Sequence, residues 1–396
     1  MTQQKRIVAI FTGNRAEYGL LSPIICAVTA HPDLDYRLLV SGTHLNEDFG
    51  ATKREIEADG FAVHAEIHIN SPGDTLYTTT LSIASCIRNM ADALERIRPD
   101  ILLVYADRFE GLAACVAGTQ MGIPTAHIEG GDLTQGGALD DSVRHAMTKL
   151  AHLHFTTNEE AAERVRRLGE ESWRVFNTGF PMIDLARAGN YASVEELAGR
   201  YGIAPDRPVA LFTQHPVTTE FEAAADQVKP SLESLSRLAA EGVQLVLTYP
   251  NNDAGGGRII RELEAFRAAH PSVVLERSLG RYNYHGMLNL AGNAGRGVCA
   301  GNSSSGLKET PAFGCPCVNI GTRQQGRLRG DNVLDVPYET DAIEAALRRA
   351  LWDENFRAQC RQGANPYGEG NTGARIADIL AGIELGPRLC RKLMTY

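Results

Sequence analysis

Two short apolar runs near the middle of the chain each end at a carboxylate, and this pattern constrains the fold more than any other. Residues 101–105 (ILLVY) lead to Asp107, and residues 124–128 (PTAHI) lead to Glu129. A segment of helical length separates the two runs. Short apolar runs that alternate with helical segments predict a parallel sheet covered by helices. Ligands bind outside the carboxyl ends of such strands, so both carboxylates are candidate functional groups.

A further acidic pair opens the next helical segment. Asp140 and Asp141 follow a glycine-rich loop and precede an apolar pattern of helical period. Structural roles are the alternatives here: Asp107 could be the N-cap of the helix after it, and Asp140 could be a first-turn partner of the helix dipole. The residues alone leave both interpretations open.

Length and composition bound the class of protein. A chain of 396 residues exceeds one ordinary core, which favours two domains. Apolar residues make up 43% and charged residues 22%, a globular balance, and the formal charge of −9 gives no support to nucleic-acid binding. No apolar run approaches the roughly 18 to 20 residues of a membrane helix. The first residues lead directly into a strand rather than a signal peptide, so we expect a cytoplasmic protein without a membrane partner.

The cysteines argue against a metal centre. None of the eight stands in a C-x-x-C pair, although Cys315 and Cys317 are close in sequence. Paired spacing is what zinc and thioredoxin-type sites require. We expect reduced, mostly buried thiols and no metal.

The alternation of strand and helix patterns occurs twice along the chain. It runs from residues 7–11 to about residue 180 and weakens over 181–202, where SVEE at 193–196 predicts a capping box. It restarts at 209–212 and continues past 297–302. We therefore expect an α/β fold with two Rossmann-like, doubly wound domains facing a central cleft. We place the first domain at 1–185 and the second at 205–370, with a C-terminal helical segment at 371–396 packing back on the first.

A serine-rich segment in the second half predicts an anion site. The sequence GNSSSGLKE at 301–309 follows a strand pattern and opens a helix, which would bring Ser303 and Ser304 to free N–H groups at a helix N-terminus. It lacks the G-K-[ST] of a Walker A loop, so a diphosphate fits better than ATP. Serine caps without a ligand are the alternative. Glu309 could accept hydrogen bonds from a ribose diol or be a surface glutamate.

Other strand ends carry basic or imidazole side chains. Arg15 could bind a phosphate or carboxylate, or pair with Glu17. His44 could contact a ligand or be a capping or core histidine. His215 ends the first strand of the second half and could donate to a diphosphate oxygen, while Arg323 lies in a basic turn suited to a nucleotide's charge. The first strand–turn–helix unit lacks G-x-G-x-x-G, so a nicotinamide or flavin cofactor has little support.

Seven of these segments, in order, resemble the UDP-N-acetylglucosamine 2-epimerase family, specifically the hydrolysing branch that makes N-acetylmannosamine for sialic-acid-type sugars. The segments are GNRAEY (13–18), ADRFE (106–110), HIEGG (127–131), DDSVRH (140–145), HPVTT (215–219), GNSS (301–304) and GTRQ (321–324). The resemblance covers nearly the whole chain. It implies a GT-B-like pair of Rossmann domains with a nucleotide sugar in the cleft between them.

The family's functional positions carry over residue by residue to ten residues: Asp107, Glu129, Asp140, His215, Arg15, Arg144, Ser303, Ser304, Glu309 and Arg323. We add His44, Arg108, Asn252 and Tyr284 as further candidates. The candidate catalytic residues are Asp107, Glu129, Asp140 and His215. The candidate substrate-binding residues are Arg15, His44, Arg108, Arg144, Asn252, Tyr284, Ser303, Ser304, Glu309 and Arg323. The resemblance implies a UDP-sugar substrate, no cofactor or metal, and a homodimer or homotetramer. The chain departs from the family pattern in a longer loop after Glu129, with glycines at 136 and 137, and at 294–297 (AGRG); both segments border the expected sugar or nucleotide.

The implied reaction is anti elimination of UDP to 2-acetamidoglucal, followed by hydration to N-acetylmannosamine. The C2 hydrogen is not next to a carbonyl, so stabilising the departing diphosphate matters as much as the base. Separate carboxylates suit proton removal and water addition. The residues do not choose the C2 base among the three carboxylates. The alternatives are the same reaction on UDP-N,N'-diacetylbacillosamine, a non-hydrolysing epimerase, a GT-B glycosyltransferase and a nucleotide-sugar sensor.

Overall fold

The chain forms two compact units, each built around one parallel sheet. The computed structural model describes residues 5–46, 52–69, 75–133, 139–251, 253 and 255–396. The first unit comprises Met1–Asp184 with Gly370–Tyr396, and the second comprises Leu185–Glu369. Within the described ranges, no helix combines the length and the apolar character needed to span a membrane.

The first unit contains, in its described residues, a seven-stranded sheet in the order β3-β2-β1-β4-β5-β6-β7, with parallel neighbours throughout. Its strands are β1 Arg6–Thr12, β2 Leu34–Ser41, β3 Val63–Ile67, β4 Ile101–Tyr105, β5 Thr125–Ile128, β6 Leu153–Thr156 and β7 Val175–Asn177. Its helices before the boundary are α1 Arg15–Ala30, α2 Lys53–Ala58, α3 Leu76–Ile97, α4 Phe109–Gln120, α5 Leu139–Leu150, α6 Glu159–Arg167 and α7 Met182–Arg187, the last containing the boundary. Short 3-10 turns lie at Gly42–Leu45 and Ser172–Arg174.

The strands of this sheet are apolar on both faces because helices cover both faces. Along β1, Val8 and Ile10 pack into a core cluster with α1, whereas Ala9 and Phe11 pack into a second cluster with α3 and α4. Neighbouring strands β1 and β4 mark the point where the strand order reverses. In open α/β sheets the ligand crevice lies outside the carboxyl ends of the strands at this point.

The second unit repeats the architecture with six strands among its described residues, in the order β10-β9-β8-β11-β12-β13. They are β8 Val209–Thr213, β9 Gln244–Thr248, β10 Val274–Glu276, β11 Gly297–Gly301, β12 Cys317–Ile320 and β13 Val333–Val336. The helices are α8 Val194–Tyr201, α9 Ala224–Ala240, α10 Gly256–Ala269, α11 Gly280–Ala291, α12 Ser305–Lys308, α13 Thr340–Trp352 and α14 Glu354–Gln362, with 3-10 turns at Thr218–Ala223 and Thr310–Phe313. Every strand pair is parallel. The expectation of two Rossmann-like α/β halves is confirmed.

The C-terminal segment belongs to the first unit. It contains α15 Thr372–Gly382 and α16 Pro387–Cys390. The N–H groups of Thr372 and Gly373 donate to the Asp184 carboxylate at 2.9 and 2.8 Å, and Arg375 donates to the carbonyls of Asn177 and Thr178. Residues of α15 join the α1 core cluster, so this helix completes the first unit's core.

Two smaller predictions also hold. Ser193 and Glu196 form the expected capping box at the start of α8, with Ser193 Oγ accepting from the Glu196 N–H at 3.2 Å. All eight cysteines lie in described parts of the chain, and each is a free thiol.

Candidate active site

Two non-glycine residues at the carboxyl ends of β4 and β5 have left-handed backbone conformations. The φ angle is 55° at Ala106 and 66° at Glu129. Both turns are held by the neighbouring strand, because the Ala106 N–H donates to the carbonyl of Ile128 at 3.0 Å and the Glu129 N–H donates to the carbonyl of Phe155 at 2.8 Å. Such conformations cost free energy and cluster where a side chain must be aimed for function. Here they direct Asp107 and Glu129 off the ends of adjacent strands.

The Glu129 carboxylate is buried and bonded to a tyrosine. The hydroxyl of Tyr105, the last residue of β4, donates to it. Burial and the charge of Glu129 raise the pKa of Tyr105 well above its ordinary value, so the phenol keeps its proton and remains the donor. Tyr105 was not among the predicted site residues. Its signal in the sequence is a hydroxyl at the end of an otherwise aliphatic strand.

Arg144, on α5, joins several carboxylates. Its side chain is buried and donates to Asp107 and to Asp141, the latter at 2.6 Å. It also donates to the carbonyl of Asp132 at 2.8 Å. Burial alone would lower the pKa of Arg144, but the charges of Asp107 and then Glu129 outweigh burial and raise it. The structure thus brings two predicted carboxylates, Asp107 and Glu129, close enough to act on the predicted Arg144.

The capping alternative for Asp107 is wrong. The N-cap of α4 is Arg108, and no side chain caps that helix. Asp107 instead pairs with Arg144. Asp140 is exposed in the first turn of α5, as the dipole alternative describes. Its charge also acts on Arg108, whose pKa is raised against the effect of burial, mainly by Glu110.

A pair of buried carboxylates, Glu17 and Glu110, lies beside the β1–β4 reversal. Arg108 donates to Glu110 through Nε and Nη2 at 3.3 and 3.2 Å, and Glu110 is 2% exposed. Glu17, also buried, accepts from the Gly13 N–H at 2.7 Å. Burial, followed by the charge of Glu110, raises the pKa of Glu17 to about 8. Sequence reasoning treated neither glutamate as functional, because their burial is set by long-range packing.

Two predicted binding residues have other partners in the first unit. Arg15 is exposed and pairs with Glu55 of α2 at 2.8 Å, so the alternative of a pair with Glu17 is wrong. His44 is a core histidine, with Nε2 bonded to Thr12 at 3.1 Å and Nδ1 to Thr52 at 2.8 Å. Its assignment to substrate binding is therefore corrected, because both ring nitrogens are occupied by buried threonines.

His127, within the HIEGG segment, supports the strained turn. Its Nε2 bonds to the carbonyl of Ala106 at 2.7 Å, and its Nδ1 bonds to Thr148 of α5 at 3.3 Å. Burial lowers the pKa of His127 to about 3, so the ring is neutral and Nε2–H is the donor to the carbonyl. The first glycine after Glu129 avoids crowding here, because a Cβ at Gly130 would lie about 3.0 Å from Thr148 Oγ1 and 3.1 Å from His127 Nδ1.

In the second unit, His215 is a neutral hydrogen-bond donor. Its Nδ1 accepts from the Asn251 N–H at 3.0 Å. Burial, with a smaller contribution from Arg323, lowers the pKa of His215 to about 3. A neutral imidazole that accepts at Nδ1 carries its proton on Nε2. His215 can therefore donate to an anion without being a cation itself.

The serine segment forms a hydroxyl chain rather than a long helix N-terminus. Ser303 Oγ lies 2.9 Å from Ser305 Oγ, which lies 2.6 Å from the hydroxyl of Tyr284. The helix expected after the serines is only the single turn α12, followed by a 3-10 turn at Thr310–Phe313. The helix-dipole argument for an anion site is corrected accordingly. Ser304 is the N-cap of α12, and its side chain makes no capping bond.

Glu309 and Arg323 also have defined partners. Glu309 follows α12 instead of lying on its first turns, and its carboxylate bonds to Nε2 of the buried His285 at 2.9 Å. Arg323 donates to the carbonyl of Asn302 at 3.2 Å and lies 4.0 Å from the carboxylate of Asp253. Asn252, the remaining predicted residue, lies outside the described residues.

Comparisons with known proteins identify the family to which this chain is similar. The family model for UDP-N-acetylglucosamine 2-epimerases matches residues 26–381. A UDP-N,N'-diacetylbacillosamine 2-epimerase (hydrolyzing) of Legionella pneumophila is 33% identical over 392 residues, covering 99% of this chain and 100% of the relative. A UDP-N-acetylglucosamine 2-epimerase of Neisseria meningitidis is 32% identical over 359 residues, covering 89% of each chain.

Solved structures share the fold. The crystal structure of UDP-GlcNAc 2-epimerase from Neisseria meningitidis bound to UDP-GlcNAc has a TM-score of 0.76 and 19% identity, covering 95% of this chain and 99% of that one. The likeness confirms the predicted fold class, with two parallel-sheet α/β units of the GT-B-like kind. On the family match and the full-length relatives, the chain belongs to the UDP-N-acetylglucosamine 2-epimerase family.

Proposed function

We propose that this protein is a hydrolysing UDP-N-acetylglucosamine 2-epimerase, which converts UDP-GlcNAc and water to N-acetylmannosamine and UDP. One observation carries the proposal: Asp107 and Glu129 leave adjacent strand ends through strained turns and are held by Arg144 and Tyr105. Groups fixed by packed neighbours suit reactions that need a base and an acid at defined positions.

The first step breaks the C1–O bond to UDP while a carboxylate takes the C2 proton and the C1–C2 double bond forms. The C2 hydrogen is weakly acidic, so positive charge must develop at C1 as UDP leaves. His215, Arg323 and the hydroxyls of Ser303 and Ser304 are the groups we assign to the departing diphosphate. Neutral His215 supplies an Nε2–H, and Arg323 supplies the charge.

The second step adds water across the double bond. Hydroxide joins C1 and a proton returns to C2 from the opposite face, so the sugar is released with C2 inverted. We assign the proton transfers to Asp107, Glu129 and Asp140, and substrate contacts to Arg15, Arg108, Arg144, Asn252, Tyr284 and Glu309. Glu129 is buried and Asp140 is exposed, so the two differ most in their access to water.

Incubation with UDP-GlcNAc in D₂O, without an acceptor, tests the proposal. Proton NMR should show UDP and free N-acetylmannosamine carrying deuterium at C2. Asp107→Asn and Glu129→Gln should bind UDP normally and lose turnover, while the surface control Glu163→Gln should keep it. Intact UDP-N-acetylmannosamine would indicate a non-hydrolysing epimerase. No turnover would indicate a glycosyltransferase or a nucleotide-sugar sensor.

UDP-N,N'-diacetylbacillosamine is the second candidate substrate. The Legionella relative that matches this chain along its whole length carries that sugar in its name. The reacting atoms are the same, so the carboxylates leave this choice open. Side-by-side kcat/KM values for both donors decide it, and a preference of at least tenfold for the diacetamido sugar, about 1.4 kcal/mol of transition-state binding, would replace UDP-GlcNAc as the assigned substrate.

The remaining expectations belong to the same proposal. We infer that the protein is a cytoplasmic homodimer or homotetramer that supplies N-acetylmannosamine for sialic-acid-type sugars. The resemblance of the seven sequence segments supports this. Light scattering of the purified protein measures the assembly directly, and a monomeric mass at assay concentration would contradict it.

A further inference from the structure

We propose that Asn302 is a positioning residue that holds His215 and Arg323 in place to receive the departing diphosphate. The inference rests on the proposed function. Asn302 follows β11, His215 follows β8, and these strands are neighbours at the point where the second sheet reverses its order. Asn302 is 1% exposed, so its contacts are made within the protein.

The side-chain amide of Asn302 forms a reciprocal pair with the backbone of His215. Its Oδ1 accepts from the His215 N–H at 2.6 Å, and its Nδ2 donates to the His215 carbonyl at 2.9 Å. The Asn302 N–H donates to the carbonyl of Thr213 at 3.1 Å. The amide thus extends the β8–β11 ladder by one residue pair after the strands end, and fixes the peptide groups on both sides of the His215 side chain.

The Asn302 carbonyl accepts hydrogen bonds from the turn that carries Arg323 and Gln324. It accepts from Arg323 Nη1 at 3.2 Å and from Gln324 Nε2 at 2.8 Å. Gln324 is buried, so this bond anchors the basic turn to the end of β11. One residue therefore ties together the two turns that supply the imidazole and the guanidinium.

The preceding glycine makes this arrangement possible. Gly301 has a φ of 118°, and a side chain there would overlap the carbonyl of Thr213. Without a Cβ, the end of β11 lies against β8, and the amide of Asn302 reaches the next peptide.

An amide is required because the His215 backbone presents one donor and one acceptor. Aspartate in this position would keep an acceptor for the N–H but place a carboxylate oxygen against the His215 carbonyl. The backbone of His215 would shift, while Nδ1 could keep its bond from the Asn251 N–H. Asn302→Asp should therefore change the orientation of His215 and leave its proton on Nε2.

The matched control is Asn332→Asp in the same unit. Asn332 is also buried, and its Nδ2 donates to Thr310 Oγ1 and the Cys315 carbonyl, both at 2.8 Å. The control loses comparable bonds, and neither of them involves His215 or Arg323. A purely structural role for Asn302 predicts equal effects for the two substitutions.

We expect Asn302→Asp to lower kcat by roughly 10- to 100-fold, the range produced when a supporting partner of a metal-binding histidine is lost. KM should change less, because the diphosphate gains charge mainly as it leaves. UDP, which resembles the leaving group, should bind at least tenfold more weakly. Nitrogen NMR should show displaced His215 resonances. Asn332→Asp should keep kcat, KM, UDP affinity and the His215 resonances near wild type at a temperature where both variants are folded.

Asn302→Ala, which removes both side-chain bonds without adding a charge, should show the same pattern. Equal losses for Asn302→Asp and Asn332→Asp would overturn the proposal, as would failure of both Asn302 variants to fold where Asn332→Asp folds. If the wild type lacked turnover, the proposed function would fail, whereas UDP affinity and the His215 resonances would still test the role of Asn302.

Discussion

The hydroxyl of Tyr105 donates a hydrogen bond to the carboxylate of Glu129, joining the last residue of β4 to the residue after β5. This bond crosses two adjacent strand ends and restrains a glutamate whose backbone is in the left-handed region. Its role can be separated from packing, because phenylalanine keeps the ring and loses only the donor.

Tyr105→Phe should therefore lower kcat by about 10- to 100-fold, since a hydrogen bond to a charged group contributes about 1.5 to 3 kcal/mol. Steady-state kinetics measure the effect. Tyr36→Phe is the control in the same unit, because it loses a bond from the Ala62 N–H away from the carboxylates. Equal kcat values for the two variants would remove Tyr105 from the site.

The Arg144–Asp107 pair should show strong coupling in a double-mutant cycle. Arg144→Met leaves Asp107 and Asp141 without their buried cation and should destabilise the fold by about 3 kcal/mol. Adding Asp107→Asn should restore part of that loss, because one uncompensated charge is removed. Urea unfolding measures all four proteins. The surface pair Arg167–Glu163, with a separation of 3.0 Å, should couple by only about 0.5 kcal/mol.

Glu17 should make stability depend on pH in an unusual direction for a carboxylate. Its pKa rises from 4.5 to about 8 on folding, through burial and then Glu110. The folded state therefore binds more protons between these values, so the stabilising contribution present below pH 4.5 is lost as pH rises towards 8. Arg108 and Asp107 also act on this group.

Glu17→Gln should flatten the fall in unfolding free energy between pH 5 and pH 8, as measured by urea titrations at several pH values within this window. Glu95→Gln, on the exposed surface of α3, should leave the wild-type slope in place. An unchanged slope in Glu17→Gln would show that Glu17 is ionised in the folded protein.

Lys392 should stabilise the helix that carries Arg144. Its ammonium donates to the carbonyls of Lys149 and Ala151 at 2.8 and 2.7 Å, at the end of α5, and pairs with the buried Glu170 at 2.7 Å. Lys392→Met should cost about 3 kcal/mol, because it removes one partner of a buried charge. The Tm of thermal unfolding and the kcat should both fall. Lys53→Met, at a more exposed ion pair, should change stability by less than about 1 kcal/mol.

The stability of the protein at low pH supplies a second check on Glu170 and its partners Lys149, His154 and Lys392. Burial would raise the pKa of Glu170, but bonds from His154, Lys149 and Lys392 outweigh it and lower the pKa to about 2. Stability from Glu170 is present above pH 4.5 and is lost as pH falls towards 2. Lys392→Met should therefore be closer to wild type at low pH than at pH 7. A constant difference across this range would contradict the assignment.

Much of the fold follows from local pattern. Strands covered by helices on both faces must be apolar at every position, so runs such as Ile101–Tyr105 are recognisable without a structure. Capping is equally local, and Ser193 and Glu196 form their box within one turn. The length of α12 was not predictable in this way, because Thr310–Phe313 tightens into a 3-10 turn after a single helical turn.

The sequence by itself determined the two parallel sheets and the positions of Asp107 and Glu129 at strand ends, because periodicity and strand direction depend on neighbours along the chain. Only the tertiary structure decided that Arg144 pairs with Asp107, that Tyr105 bonds to Glu129, that His44 is a core residue and that Asn302 joins two turns. These partners lie far apart in sequence. Their contacts depend on which strands are adjacent and how closely the helices pack, and no local pattern encodes those distances.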